Sequence, residues 1–166
     1  RHDVSDAAGV VINKKCQQPD FKHICNEGLV HRLPKVNHPV YYGGPILTNV
    51  VGVLHSTDFI LTSTNTLTED KVGFTLDRKM LEVIARGQGP KNMLITLGMA
   101  NWTTGQLEEE LEHPRNPAMS WLIMDYDEKF VFGQLDEDKP DDLWENCVNQ
   151  AIRNKTQEIT SKIFED

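Results

Sequence analysis

The stretch from Trp102 to Leu111 gathers residue types that could do chemistry: two threonines, a glutamine and three consecutive glutamates. A hydroxyl beside a carboxylate can serve as a nucleophile beside a general base. The same residues also fit the start of a helix. With Thr103 as the N-cap, Gln106 falls at position N3 and completes a capping box. We therefore predict that this stretch initiates a helix rather than forming a catalytic site.

The neighbours of this capping box support the helical interpretation. Trp102 and Leu107 fall at N′ and N4, the two positions of a hydrophobic staple. The glutamates at 108–110 then lie near the positive end of the helix dipole. Gly105 at N2 is the misfit, because glycine is a poor helix former. A glycine there can admit a neighbouring backbone or a ligand.

Cysteines and histidines are the other residues that could bind or react. Cys16, His23, Cys25 and His31 do not follow the paired spacing of a zinc site. His55 follows an apolar strand and is interpreted as a core or strand-end histidine with its hydrogen bonds satisfied. The sequence contains no nucleophile elbow and no phosphate-binding loop. We therefore predict no metal, no cofactor and no enzymatic activity.

Three glycine-bearing breaks interrupt an otherwise strand-rich chain, and two interpretations of them stay open. They are tight turns that the fold requires, or they let backbone N–H groups face a ligand or a partner protein. The candidate surface consists of these breaks and their neighbours: Tyr42, Gly43, Gly44, Pro45, His55, Gly87, Gly89, Pro90, Trp102, Gly105 and Gln106.

The bulk properties are those of a soluble, acidic, single-domain protein. The chain has 166 residues, of which 39% are hydrophobic and 25% charged, and its net charge is −8. That charge opposes tight nucleic-acid binding, which needs a dense basic surface. No apolar run is long enough for a membrane helix, and three sparse cysteines favour free thiols in a reducing, cytoplasmic compartment. Because the chain opens on Arg1 rather than Met, we expect the true N-terminus to lie upstream.

Short apolar, β-branched runs predict a series of strands. Among them, Val10–Ile12, Leu94–Leu97 and Trp121–Ile123 are expected to be buried in one mixed sheet. The full set of predicted strands is Ala7–Lys15, Val40–Tyr42, Val50–Leu54, Phe59–Thr62, Val72–Leu76, Asn92–Met99, Met119–Met124 and Lys129–Gly133.

Helices are predicted at three further places. Pro19–Leu29 has an apolar face and a C-terminal glycine, and Asp77 is a suitable N-cap for Met80–Arg86. Leu143–Ile152 follows a proline and acidic residues, and this helix either ends at Asn154 or continues to Ile163. Strands and helices interspersed without strict βαβ units indicate an α+β fold. We expect a domain over residues 1–153 and a helical extension or tail over 154–166.

Several motifs, in order, resemble the YqgE/AlgH family of bacterial proteins. The run ARGQGPKNMLITLGMANWTTGQLEEEL resembles its A-R-G-x-G-P, L-G-Y-A-G-W and G-Q-L-E-x-E-L. Upstream, GVVINKK, VYYGGPI and VLHS resemble further motifs, and SWL and LWENCVNQAI resemble the last two. Asn101 stands where the family usually has glycine, and Thr103 where it usually has a small residue. The chain thus resembles a divergent or N-terminally truncated member.

This resemblance implies a fold more than a function. It implies a small α+β protein whose mixed, partly barrel-like sheet is flanked by helices. Two hypotheses follow for its role. One is a non-enzymatic regulatory or protein-interaction protein, acting indirectly on gene expression and binding another protein. The other is a small-molecule-binding protein or enzyme with its pocket near the three glycine-bearing breaks. The sequence leaves the oligomeric state open.

Overall fold

A computed structural model of the chain describes residues 6–30, 33–112, 121–133 and 140–164. Contacts divide the chain into two compact units, residues 1–105 and 106–166. Of the elements in the described ranges, the first unit contains the six strands and the first two helices. In the described part of the chain, no helix has both the length and the apolar character needed to span a membrane.

The first unit is a sheet with two short helices. Its elements are β1 (Asp6–Gly9), α1 (Phe21–Ile24) continued by a π-helical turn (Cys25–Leu29), β2 (Val40–Tyr42), β3 (Ile46–Ser56), β4 (Asn65–Leu67), β5 (Val72–Thr75), α2 (Arg78–Ala85) and β6 (Met93–Thr103).

The six strands form one sheet in the order β1-β6-β3-β5-β4, and β2 also pairs with β6. The β2–β6 pair is parallel and the other pairs are antiparallel. The sheet curls into a half-barrel. The predicted α+β class with a mixed, partly barrel-like sheet is therefore confirmed.

One face of the sheet is covered by α1 and α2. Val53 of β3 and Ile95 of β6 are buried there against Phe21 of α1 and Met80 of α2. Asp77 caps α2 as predicted, since its side chain accepts a hydrogen bond from the backbone N–H of Lys79. This apolar cluster is the core of the first unit.

The chain crosses β6 between β2 and β3. β2 lies beside β6 at Leu97, where the Gly43 N–H donates to the Leu97 carbonyl at 2.7 Å. The chain then passes over β6 and returns as β3, where Ile46 pairs with Met99. Side chains at Gly43, Gly44 or Gly98 would overlap the backbone of the opposing segment. Glycines therefore permit this close crossing.

The described part of the second unit contains three helices: α3 (Gln106–Glu112), α4 (Glu128–Phe132) and α5 (Pro140–Phe164). The helix predicted over Leu143–Ile152 lies within α5. This helix does not end at Asn154 but continues to Phe164, in agreement with the longer of the two alternatives.

Two strands predicted in this unit are wrong. Residues 121–127 have no regular secondary structure, and Trp121, Leu122 and Ile123 are 45%, 53% and 79% exposed. An apolar run becomes a strand only when a neighbouring strand satisfies its backbone. Residues 119 and 120 of the first predicted strand lie outside the described residues. The second strand, Lys129–Gly133, overlaps α4, because Asp127 caps a helix by accepting from the Lys129 N–H at 2.8 Å.

Two strand predictions in the first unit also need correction. β1 ends at Gly9, so Val10–Ile12 is not a strand, although the Val11 N–H still donates to the Gly43 carbonyl. Phe59–Thr62 contains no strand, and the edge strand comes later, at Asn65–Leu67.

The predicted capping box at Thr103 is wrong as well. Thr103 ends β6, where it pairs with Asp6, and α3 begins only at Gln106. Gly105 has a φ of 75°, outside the right-handed helical region, so it cannot be the N2 residue of a helix. The Gln106 amide donates forward to the Glu110 carboxylate at 3.3 Å.

Candidate functional site

A cleft of about 310 Å³ opens in the first unit, on the side of the sheet opposite the core. Its lining is mostly apolar and comes from five strands and the segments that adjoin them. The lining residues are Asp6, Ala8, Gly9, Val10, Leu54, Asn65, Leu67, Phe74, Leu76, Met99 and Asn101.

Strand alternation explains why this face is apolar too. Successive side chains of a strand point to opposite faces. Val53 therefore enters the core while its neighbour Leu54 faces the cleft, and Phe74 lies opposite Leu54 on β5. A side chain at Gly52 would overlap the Phe74 ring, so this glycine lets the ring lie against β3. The ring forms part of the cleft floor.

The irregular crossing places β6 residues in the cleft. Gly98 has a φ of 75°, and the β3–β6 register shifts between Ile46 and Val51. Leu97 packs against the core, whereas Met99, two residues later, lines the cleft. In a regular strand these two side chains would share a face. The left-handed backbone at Gly98 re-aims the end of β6 toward the cleft, and strand irregularities are common near binding sites.

Polar groups of the cleft come from three strands. The amides of Asn65, on β4, and Asn101, on β6, are both exposed. Asp6 supplies a carboxylate from β1. Among the described lining residues, Asp6 is the one with an acidic side chain. The cleft thus combines an apolar floor with a few hydrogen-bonding groups, which is typical of small-molecule sites.

His55 is fully buried and has a structural environment. Its Nδ1 lies 2.9 Å from the Ser56 carbonyl oxygen and its Nε2 lies 2.9 Å from the Thr75 hydroxyl. A carbonyl oxygen can only accept, so Nδ1 carries the proton and Nε2 accepts from Thr75. Thr75 in turn bonds Thr64 at 2.8 Å. Burial lowers the pKa of His55 and keeps the ring neutral.

A serine and an aspartate lie next to this histidine but do not form a catalytic triad with it. The Ser56 hydroxyl donates to the Asp58 carboxylate and also bonds the backbone of Asn92. The hydrogen bond from Ser56 lowers the pKa of Asp58. In a triad the histidine lies between the serine and the acid. Here the serine bonds the acid directly, so this arrangement does not activate the hydroxyl.

The cysteines are not activated either. Cys16, Cys25 and Cys147 are all free thiols, as predicted. Burial raises the pKa of each of them, so the thiolate is disfavoured.

The predicted surface residues of the first unit occupy separate places. Gly43 and Gly44 meet the backbone of β6 at Gly98, whereas the Trp102 ring lies beside Gly9. His55 pairs with Met93 at the start of β6. Met93 and Trp102 are nine residues apart, roughly 30 Å along an extended strand. The structure therefore does not bring His55 and Trp102 into one pocket.

The second predicted break, Gly87–Pro90, ends α2. Gly87 has a φ of 72° and its N–H donates to the Ile84 carbonyl at 2.8 Å, which is a regular C-terminal turn. Gly89 packs against Ile84, and Pro90 is buried. These contacts are internal to the fold.

The remaining predicted residues lie at the ends of strands or in the second unit. Tyr42 ends β2, and the Lys14 ammonium lies 5.1 Å from the centre of its ring. Pro45 is exposed just before β3, and nothing lies within 4 Å of the position where a side chain at Gly105 would begin. Gln106 opens α3. None of the predicted surface residues lines the cleft.

The predicted surface does not include the cleft residues, because it consists of glycine-bearing breaks and the cleft is lined by strand faces. The signal that could have found them is apolar character on both faces of β3, β5 and β6. Leu54, Phe74 and Leu94 alternate with core or buried residues, and a strand that is apolar on both sides has two covered or functional faces.

Comparison with known proteins places the chain in a family. The model of the AlgH-like family, DUF179, matches residues 1–155. A UPF0301 protein of Bradyrhizobium sp. is 32% identical over 148 residues, which is 84% of this chain and 66% of the relative. A UPF0301 protein of Cereibacter sphaeroides is 34% identical over 139 residues, covering 83% of this chain and 73% of the relative.

A solved structure agrees with these matches. The solution structure of the AlgH protein from Pseudomonas aeruginosa superposes with a TM-score of 0.63 at 30% identity, over 79% of this chain and 67% of that protein. The chain spans about two thirds of the length of the curated relatives that it matches. The glycine motifs, the half-barrel sheet and these matches together show that the chain belongs to the AlgH-like family.

Proposed function

We propose that this chain is a non-enzymatic protein that acts by binding, in a regulatory or protein-interaction role, and that its binding site is the cleft. The observation that supports this proposal is an apolar, partly open cleft on the sheet face opposite the helix-covered core. An exposed apolar surface of this kind marks an interaction site. Acting on gene expression through a partner protein, rather than by contacting DNA, fits the net charge of −8.

The non-enzymatic part of the proposal is supported by where the reactive groups lie. His55 is buried in a chain of hydrogen bonds, the Ser56 hydroxyl bonds a carboxylate, and the thiols have raised pKa values. Asp20 and Asp77 act as helix caps. Catalysis needs such groups converging on one point, whereas the lining residues that the structure describes are apolar residues, two asparagines and one aspartate.

We propose a partner protein as the first candidate to occupy the cleft. β4 is the terminal strand of the sheet, and two of its residues, Asn65 and Leu67, line the cleft. An extended peptide paired with this edge would set alternate side chains over the cleft.

Affinity capture from cells with charge-inserting variants tests the interaction. Leu76 lines the cleft and is 48% exposed, whereas Leu47 lies outside it and is 50% exposed. We expect a protein that co-purifies stoichiometrically with the wild type to be lost with Leu76→Glu and retained with Leu47→Glu. Equal retention with both variants would show that the cleft is not the binding surface.

Small-molecule binding is a second candidate function, and the cleft volume favours it. At about 310 Å³ the cleft is at the lower end of the range for ligand pockets, about 300–1,000 Å³. Such a ligand would act as the signal that the protein senses. A shift in the melting temperature with small aromatic probes, lost on Leu76→Glu, would support this function.

A further inference from the structure

The β4–β5 hairpin (residues 64–75) is held to the sheet by a buried histidine side chain as well as by its backbone pairs. In the register of β3 and β5, His55 lies directly opposite Gly73. A side chain at Gly73 would overlap the His55 ring, so the ring packs directly under the backbone of β5. The ring is fully buried. Water therefore reaches it when the hairpin moves away from β3.

The hydrogen bonds that join His55 to the hairpin run in one direction. Because Nε2 of the neutral ring accepts from the Thr75 hydroxyl, the Thr75 oxygen accepts from the Thr64 hydroxyl. Thr64 in turn accepts from the Leu61 N–H at 2.9 Å. A proton on Nε2 would meet the hydrogen of the Thr75 hydroxyl. Both hydroxyls would then have to turn, and Thr64 would lose the acceptor of its own hydrogen.

The surroundings of His55 favour its neutral form in the closed structure. The segments next to the ring are β5, the start of β6 and residues 61–64, and their side chains are uncharged. Burial lowers the pKa of His55 and outweighs the opposing effects of the bond to the Ser56 carbonyl and of the Asp58 charge. Asp58 itself bonds the Ser56 hydroxyl and the backbone N–H of Lys91. A buried imidazolium would therefore be costly here.

We propose that the β4–β5 hairpin is a pH-sensitive wall of the cleft, closed while His55 is neutral and released when this histidine takes up a proton. The hairpin contributes Asn65, Leu67 and Phe74 to the cleft lining, so its release dismantles that side of the cleft. The release itself does not depend on what the cleft binds, whereas the resulting loss of binding rests on the proposed function.

The pH range of the release follows from linkage. In the open hairpin His55 is hydrated and has its usual pKa near 6.5, whereas burial lowers the pKa in the closed state. The opening equilibrium is therefore constant above pH 6.5 and shifts toward the open state as the pH falls below it. The shift is at most about tenfold per pH unit, because one proton is taken up.

Native-state amide hydrogen exchange of the full isotope-labelled chain tests the proposal. The measured quantity is the protection factor of the hairpin amides, compared with that of Gly43, whose N–H bonds the Leu97 carbonyl on the other side of β6. We expect the hairpin amides to be less protected than Gly43 at every pH, because the hairpin opens without global unfolding. Between pH 7.5 and pH 5.5 their protection should fall by at least about threefold.

Two histidine variants separate release of the hairpin from global unfolding. Burial lowers the pKa of both His55 and His38, but the His38 ring lies beside Phe21. We expect His55→Gln to remove the pH dependence of hairpin protection, because a glutamine oxygen can still accept from Thr75 and does not titrate. His38→Gln should leave that dependence unchanged.

The hydroxyl link supplies a test that leaves His55 in place, which decides the matter if His55→Gln does not fold. Thr75→Val removes the link and Thr75→Ser keeps it. We expect the valine variant to lower hairpin protection at pH 7.5 by at least about threefold relative to the serine variant, since His55 then no longer holds Thr64. Equal protection in the two variants would contradict the link.

Hairpin protection equal to that of Gly43, or a pH dependence that survives in His55→Gln, would overturn the inference. Affinity capture at pH 7.5 and pH 5.5 tests the consequence for binding, and we expect the partner to be lost at pH 5.5 from the wild type but not from His55→Gln. If the hairpin is released and capture does not change, the cleft is not the binding surface and the inference stands. If Leu76→Glu abolishes capture but hairpin protection is independent of pH, the inference fails and the proposed function stands.

Discussion

Three glycines form a contact on which the topology of the sheet depends. Gly43 and Gly44 lie on one side of the crossing and Gly98 on the other. A side chain at any of the three would overlap the backbone of the opposing segment. Two motifs far apart in the sequence, VYYGGPI and ITLGMAN, thus meet at one point. This contact explains these glycines by packing, without a ligand.

Gly98→Ala and Gly105→Ala form a matched pair, because both glycines have a φ of 75°. Alanine in this region costs about 1–2 kcal/mol of backbone strain. At Gly105 a side chain enters open space, whereas at Gly98 it meets the Gly44 carbonyl. We expect Gly105→Ala to cost about 1 kcal/mol and Gly98→Ala at least about 2 kcal/mol more, from overpacking. Urea denaturation measures both, and equal losses would contradict the crossing.

His55 and His38 predict how stability depends on pH near neutrality. Burial lowers the pKa of both below the usual 6.5, so the unfolded chain takes up protons more readily. Their contribution is complete above pH 6.5 and is lost as the pH falls below it, by at most about 1.4 kcal/mol per pH unit for each histidine. Denaturant midpoints between pH 8 and pH 5 should show this decline, and His55→Gln should flatten it. An unchanged slope in the variant would contradict the assignment.

The carboxylates cause a second loss of stability, which occurs at lower pH. Hydrogen bonds lower the pKa values of Asp20, Asp58 and Asp77 below the usual 3.8. Their contribution is therefore present above pH 3.8 and is lost as the pH falls further. The histidine effect begins near pH 6.5 and the aspartate effect near pH 3.8, so the first loss of stability on acidification belongs to the histidines.

At the level of elements, the sequence predicts those helices and strands whose formation depends on neighbouring residues. Asp77 and the apolar face that follows it predict α2. The apolar, β-branched runs predict β2, β5 and the buried half of β6. The failures are segments whose state depends on distant partners. Trp121–Ile123 has the composition of a strand but no strand structure, and Lys129–Gly133 is helical because Asp127 caps it.

The β4–β5 hairpin contains a loop that the sequence does not mark with glycine. Thr68, Glu69 and Asp70 all have φ between 54° and 63°, a region that is unfavourable for side chains, above all β-branched ones. Thr68→Gly should therefore stabilise the protein by about 0.5–1 kcal/mol, since the strain relieved exceeds the added entropy of the unfolded chain.

The control for this prediction is the same substitution two residues earlier. Thr66 lies in β4 and is extended, so Thr66→Gly should destabilise by about 1 kcal/mol. Thermal melts of the two variants should shift in opposite directions. A loss of stability with both would mean that the loop is not strained.

For the molecule as a whole, the family and the fold class were predictable, but the site was not. Ordered motifs identify a family because their spacing fixes a topology. A cleft depends on which strand faces meet after the sheet curls and after Gly98 re-aims Met99 and Asn101. None of these events leaves a contiguous pattern in the sequence, whereas glycine-bearing turns do.

The negative net charge predicts that the protein does not bind DNA tightly and specifically. The chain has 17 basic and 25 acidic residues, and specific DNA binding draws much of its affinity from phosphate contacts by lysine and arginine. We expect no sequence-specific complex tighter than about 1 µM at physiological salt, against the range of about 10⁻⁸–10⁻¹¹ M for specific binders. Fluorescence anisotropy with labelled duplexes at 50 mM and 150 mM salt, each with competitor DNA, measures this. Weak binding that disappears at the higher salt would agree with the prediction, whereas nanomolar, competitor-resistant binding would show that the protein contacts DNA directly.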